Sequence, residues 1–175
     1  MRTIGIDPGK GGAVALLDDN GRILKIWDTP TLKIGTKVVY DTAAMANIIV
    51  PYSVQAHVAI EKVGAMPGQG VTSMFEFGLG FGLWQGIVAA CRMPISFYTP
   101  QKWKGSVLAG MPPGKGSSLV RAKQLWPTCE FFSRKKDEGR AEAALIAHYH
   151  QLQTGREIRE GAAAAARRQL AARNA

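Results

Sequence analysis

The first 27 residues constrain the fold more than any other stretch, because short β-rich runs there alternate with turn signals that leave little choice of pairing. Thr3 to Asp7 is a β-rich run stopped by Pro8-Gly9, and Gly12 to Leu17 is a second. Asp18-Asp19-Asn20-Gly21 then makes a strong hairpin turn, since Asn-Gly tolerates the positive φ angles a tight turn requires. Arg22 to Trp27 returns as a third strand. Farther on, strands alternate with helices. Asp41 is placed to N-cap a helix to about Val50, and His57 to Glu61 is a short apolar strand. A long apolar helix follows from about Ser73 to Cys91, then a fifth strand from Pro94 to Tyr98. Pro100 to Leu108 suits a short helix, with Thr99 capping and Pro100 at the first helical position. Ser117 to Trp126 is another helix, stopped by Pro127, and the last runs from about Asp137 to Leu152. Hairpin strands followed by strand–helix alternation imply a mixed α/β sheet.

At 175 residues, with no composition shift or internal repeat, the chain reads as one domain over 1–154. A basic Ala/Arg-rich tail, helical or frayed, follows over 155–175 and carries Arg156, Arg159, Arg167, Arg168 and Arg173. The net charge of +9 and pI near 9.8 attract polyanions, although a basic balance by itself also suits mere solubility. Cys91 and Cys129 are the only cysteines and lie in no zinc-type spacing, so two idle thiols in a reducing compartment are expected. The N-terminus opens on a strand, without a signal-peptide h-region. The most apolar stretch, Phe77 to Ala90, contains Gln85 and is too short to span a bilayer comfortably, so a core helix and a cytoplasmic protein without membrane contact are expected. Gly110 to Ser117 (GMPPGKGS) fails the phosphate-loop template, with three residues instead of four between Gly110 and Gly114 and with Gly116 after Lys115. No nucleotide cofactor is therefore expected.

Acidic residues at strand ends are unusual in so basic a chain. Asp7 ends one apolar strand, before Pro8-Gly9, and Glu61 ends another, Val58-Ala59-Ile60. Asp137, Glu138 and Glu142 cluster where the last helix begins, and the four-residue spacing of Glu138 and Glu142 sets them on one helical face. Gathered together, such groups either rise in pKa or surround a cation. Oxygen donors without His or Cys favour Mg²⁺ or Mn²⁺, and two such ions can activate water and stabilise the leaving oxygen of a phosphodiester. Each acid also has a plainer reading. Asp7 suits a turn, Asp137 and Glu138 suit a helix N-terminus, and Glu142 suits a solvated helix face beside Arg140 or Lys136. Glu61 has no ready structural excuse.

Ile4-Gly5-Ile6-Asp7-Pro8-Gly9 resembles the first-strand motif of RuvC-type Holliday junction resolvases. Ala59-Ile60-Glu61-Lys62-Val63 resembles their fourth-strand glutamate motif, and Gly139 to Ala147 (GRAEAALIA) resembles their final acidic helix. Tyr98 to Lys104 (YTPQKWK) resembles the segment after their fifth strand, most closely in the phage-encoded branch. The likeness runs in order over about residues 2 to 150. It implies a ribonuclease-H-like fold, with a five-stranded mixed sheet of three antiparallel hairpin strands plus two parallel ones, flanked by helices. It implies a homodimer that cuts four-way and other branched DNA by paired symmetric nicks, with two Mg²⁺ per active site and Mn²⁺ as a substitute. Asp7, Glu61, Glu138 and Glu142 are the implied catalytic metal ligands, with Asp137 as the alternative to Glu138. One departure is plain: the family pattern has two aspartates three apart on this helix, whereas Gly139 stands three before Glu142.

Lys62, Lys102, Lys104, Lys115, Arg134, Lys135, Lys136 and Arg140 are candidate phosphate contacts, against the plainer reading of solvated charges. The glycine-rich loop after Glu61 is a candidate for probing the junction centre, with Met66 and Gln69 as DNA contacts and Met66 or Phe75 able to wedge between base pairs. Gly78, Gly82 and Gly86 recur every four residues on one helix face, a stripe suited to packing on the sheet or on the partner helix of a dimer; with Phe75 it is the candidate dimer interface. The plainer reading makes Phe75, Phe77, Phe81 and Trp84 core residues, which is expected of most of them, and Trp103 and Trp126 read as packing residues. Two other functions share these features: a ribonuclease H acting on RNA–DNA hybrids, and a noncatalytic branched-DNA-binding protein of the same fold.

Overall fold

The structure, a computed structural model, describes residues 1–62, 64, 68 and 70–173, with side chains to residue 162. In chain order its elements are β1 (Arg2–Asp7), β2 (Ala13–Leu17), β3 (Ile23–Asp28), β4 (Thr31–Ile34), β5 (Lys37–Tyr40), α1 (Thr42–Ile49) and β6 (Ala56–Glu61), followed by α2 (Val71–Ala90), β7 (Ile95–Tyr98), α3 (Pro100–Val107), α4 (Ser117–Leu125) and α5 (Glu138–Arg173). The main sheet has the order β3-β2-β1-β6-β7. The first three strands pair antiparallel, while β6 lies parallel to β1 and β7 parallel to β6. This is the mixed five-stranded sheet that the sequence implies.

The period of two along each strand assigns the faces. Ile4, Ile6, Val14, Leu16, Val58 and Ile60 face α1 and α2, where Met45, Ile49, Trp84 and Val88 complete a buried cluster. The alternate positions, Gly5, Ala13, Ala15 and Ala59, face α5 and are small. The helix answers with Ala143, Ala144 and Ala147, and Trp103, Leu145 and Ile146 fill the space near Ala59. With little side chain on either surface, α5 lies almost directly on the backbone of β1. A Cβ on Gly5 would collide with the carbonyl of Ala143 and lie 2.6 Å from the amide of Ala147.

Several expectations need amendment. The hairpin β4–β5 forms a separate two-stranded sheet that was not foreseen. Its signal is the alternation around Gly35-Thr36, with Gly35 supplying the positive φ of the turn. The last helix runs past Leu152 without a break to Arg173, so the Ala- and Arg-rich tail takes the helical of its two expected forms, as an extension of the same helix. Phe75 and Phe77 are not core residues: Phe75 is on the exposed stripe of α2 with Gly78 and Gly82, while Phe77 shares the stripe of the fully buried Trp84 but stays partly exposed at the start of the helix. No helix among the described residues is long and apolar enough to cross a membrane.

Gly5→Ala should destabilise the protein by roughly 1–3 kcal/mol or more, since overpacked backbone contacts cannot yield as a side chain can. Urea unfolding of the variant against wild type measures this. A loss below about 0.5 kcal/mol would mean that α5 is not seated as described.

Candidate active site

Strand alternation continues to the strand ends and creates the site. Counting on from Gly5 and Ala59, the next positions on the α5 face are Asp7 and Glu61. The parallel register sets Ile6 opposite Ile60, so the two carboxylates end neighbouring strands side by side. Glu142 comes from the first turns of α5, next to Ala143 and thus above the same strand ends. One oxygen each of Asp7, Glu61 and Glu142 lies within 4.8 Å of the others.

Each acid is held in place. The Gly9 amide donates to Asp7 Oδ1 at 3.4 Å, and Trp103 Nε1–H donates to Glu61 Oε1 at 3.0 Å. Glu142 Oε1 accepts from Ser118 Oγ at 3.2 Å and pairs with Lys104 Nζ at 2.6 Å. Burial, followed by repulsion from Glu142 and Glu61, pushes Asp7 up to about 8. Burial also raises Glu61, with Glu142 adding to the effect and the Trp103 bond and Lys104 opposing it. For Lys104, burial works against the charge, but the bond to Glu142 and the surrounding acids outweigh it and raise its pKa.

Such an arrangement suits a cation. Three carboxylates converge with no nitrogen or sulfur donor among them, which matches Mg²⁺ or Mn²⁺. They line a cleft of about 500 Å³ together with Gly9, Lys10, Tyr40, Thr72, Ser73, Glu76 and Phe77. A second cleft of about 580 Å³ shares Glu142 and is lined by Lys104, Lys115, Ser117, Ser118 and Glu138.

The remaining candidates are placed differently. Glu138 is not in the three-carboxylate group and lines the second cleft. Asp137, the alternative to it, is engaged elsewhere: its buried side chain accepts from the Arg134 amide at 2.7 Å and from Arg134 Nε at 2.6 Å. Position 139 does face the acids. A Cβ there would lie 3.2 Å from Asp7 Oδ2, but also 2.5 Å from the Gly11 carbonyl, so the β1–β2 turn occupies the room a side chain would need. Arg134 and Arg140, expected as DNA contacts, both bind Asp28 at the end of β3 and hold its carboxyl below the usual range. Lys104 belongs to the acid cluster. Lys62, Lys102, Lys115, Lys135 and Lys136 are exposed. Met66 and Gln69 lie outside the described residues, as do the side chains of Arg167, Arg168 and Arg173. On α2, a Cβ on Gly78, Gly82 or Gly86 would meet nothing within 4 Å in the chain itself.

Sequence reasoning missed the roles of Trp103, Ser118, Lys10 and Glu76. Glu76 carried a signal, being the sole charge in the twenty residues of α2. It pairs with Lys10 at 2.5 Å across the cleft wall.

Comparison with solved structures places the fold. The RuvC structure of Thermus thermophilus superimposes with a TM-score of 0.55 at 16% identity, covering 86% of this chain and 93% of that one. The structure of T. thermophilus RuvC in complex with Holliday junction substrate gives 0.60 at 17% identity, covering 86% and 92%. The chain therefore has the RuvC-type, ribonuclease-H-like fold. No protein-family model matches the sequence, and no curated protein does.

The raised Asp7 carboxyl sets a pH dependence. Folded chains keep a proton on Asp7 that unfolded chains release near pH 4. Its contribution to stability is thus present below pH 4 and lost as the pH rises towards about 8. In metal-free protein, Asp7→Asn should raise the melting temperature at pH 8.5 and leave it nearly unchanged at pH 4. Equal effects at both pH values would mean that Asp7 is not ionised late.

Proposed function

We propose that this chain is a divalent-metal-dependent endonuclease that resolves four-way and other branched DNA. The observation that carries the reading is the convergence of Asp7, Glu61 and Glu142, from β1, β6 and α5, at the floor of an open cleft in a RuvC-type fold. These three residues would hold Mg²⁺, or Mn²⁺ in its place. Two ions per site is the arrangement in keeping with the resemblance. A bound divalent ion supplies Lewis-acid polarisation of the phosphodiester and a more acidic water.

The protein's own groups do the rest. Trp103 and Ser118 hold Glu61 and Glu142 by one hydrogen bond each, which fixes the donor oxygens before substrate arrives. Lys104 offsets part of the cluster's negative charge and would be close enough to stabilise charge developing on a phosphoryl group bound there. The exposed lysines Lys62, Lys102, Lys115, Lys135 and Lys136 would contact the backbone and read shape, not base edges. Met66 and Gln69 would reach the junction centre. Glu138 would serve as an outer acid from the second cleft. The protein would work in the cytoplasm, of the host if phage-encoded.

Paired symmetric nicks need two sites related as the junction's arms are. The exposed face of α2, with Phe75, Gly78, Gly82 and Gly86, is the surface we assign to a second copy. Gly82→Glu tests it. The added side chain meets nothing within its own chain, and replacing helical Gly gains up to about 1 kcal/mol of helix stability. The variant should stay folded by circular dichroism yet sediment as a monomer where wild type sediments as a dimer. A dimeric variant would remove α2 from the interface.

Function is tested by incubating the protein with end-labelled four-way junction, linear duplex and RNA–DNA hybrid, in Mg²⁺, Mn²⁺ or EDTA. Symmetric metal-dependent nicks confined to the junction are expected. Glu61→Gln should end cutting while leaving junction binding within about twofold. Cutting of the hybrid alone would make the protein a ribonuclease H. Binding without cutting in either metal would make it a noncatalytic junction binder, a reading favoured by the position of Glu138 outside the acid group.

A further inference from the structure

The hairpin β4–β5 forms no ladder with the main sheet and is not used by the chemistry above. Its base is pinned where the Asp41 amide donates to the Pro30 carbonyl and the Thr29 amide to the Gly12 carbonyl. From there it rises at the rim of the acid cleft. Tyr40 lines that cleft, and Lys10, also in its wall, donates to the Val38 carbonyl at 2.6 Å.

Every residue from 31 to 38 is exposed. The apolar side chains are no exception: Ile34 is 63%, Val38 48% and Leu32 44% exposed. Isolated two-stranded ribbons are marginal in water, so three uncovered aliphatic side chains on one are unusual. The ribbon's charge indicates what meets it: residues 31–40 contain Lys33 and Lys37 and no acid.

Register then distributes those charges. Directly opposed residues share a face, so Leu32, Ile34, Lys37 and Val39 point to one side, and Thr31, Lys33, Val38 and Tyr40 to the other. Each face therefore presents one lysine beside aliphatic groups. A ribbon of two strands about 4.8 Å apart fits a B-DNA major groove about 12 Å wide. Within it, lysines on opposite faces would reach opposite phosphate walls while the aliphatic groups meet base edges and thymine methyls.

We propose that β4–β5 is a DNA-binding wing that enters the major groove of the duplex arm leading into the acid cleft. This rests on the nuclease reading and adds to it an arm-gripping surface distinct from the cleft lysines.

The test is the double variant K33E/K37E of the full chain, at positions too exposed to threaten folding. Fluorescence anisotropy with a four-way junction in EDTA, over a salt series, should show affinity about tenfold weaker or worse. The slope of log K against log salt should become shallower by about 2, one unit per lost lysine contact. Mn²⁺ binding by calorimetry should match wild type, which reports an intact acid site. Wild-type affinity and slope in the variant would overturn the wing while leaving the nuclease reading in place. If the variant instead lost self-association in sedimentation, the ribbon would be an interface with a second copy, and the wing would again fall. Failure of wild type to bind any branched DNA would remove the nuclease reading and the wing with it.

Discussion

The close seating of α5 on β1 is the constraint on which the rest of this structure depends. Gly5 leaves the strand without a side chain where the helix crosses, and Ala143 and Ala147 keep the helix surface low. Gly139 does the same one turn earlier, against the β1–β2 turn. The helix therefore descends far enough for Glu142 to join Asp7 and Glu61. A conventional leucine-packed layer would hold the helix axis well above a sheet, since layers packed through large side chains lie about 10 Å apart.

This seating also brings three carboxylates into one half-buried space, which is unfavourable without compensation. The structure shows the compensation in layers. Asp7 is raised to about 8 and holds its proton, Lys104 and Ser118 both meet Glu142 Oε1, and Trp103 donates to Glu61 Oε1. A divalent ion would replace the proton and relieve the repulsion. Readiness for the ion and instability without it then have one cause, which is how strained local electrostatics mark functional sites.

The same close packing leaves no room for a side chain at position 139. The position three residues before Glu142 faces Asp7, but the turn backbone fills the space and only glycine fits. The nearby acids are turned to other work. Asp137 is locked by Arg134 at the start of α5, and Asp28 ties Arg134 and Arg140 to the end of β3. Arg134 and Arg140 thus tie the start of the helix that carries Glu142 to the end of β3.

The sequence by itself determined the strand meander, the helices between later strands and the two apolar strands ending in Asp7 and Glu61. Those features are local: period-two alternation, turn residues and caps act within a few residues of one another. It also made Glu142 a candidate, through helical spacing and through resemblance. Only the tertiary structure decided the parallel register that sets Asp7 beside Glu61, and the depth of α5 that brings in Glu142. It alone grouped Glu142, and neither Glu138 nor Asp137, with Asp7 and Glu61, recruited Trp103 and Ser118, and paired Arg134 and Arg140 with Asp28 at the surface. Each of these depends on contacts between residues distant in sequence, where the deciding quantity is how closely two backbones approach. A sequence shows that Gly5 and Gly139 lack side chains; the packed chain shows what fills the space they leave.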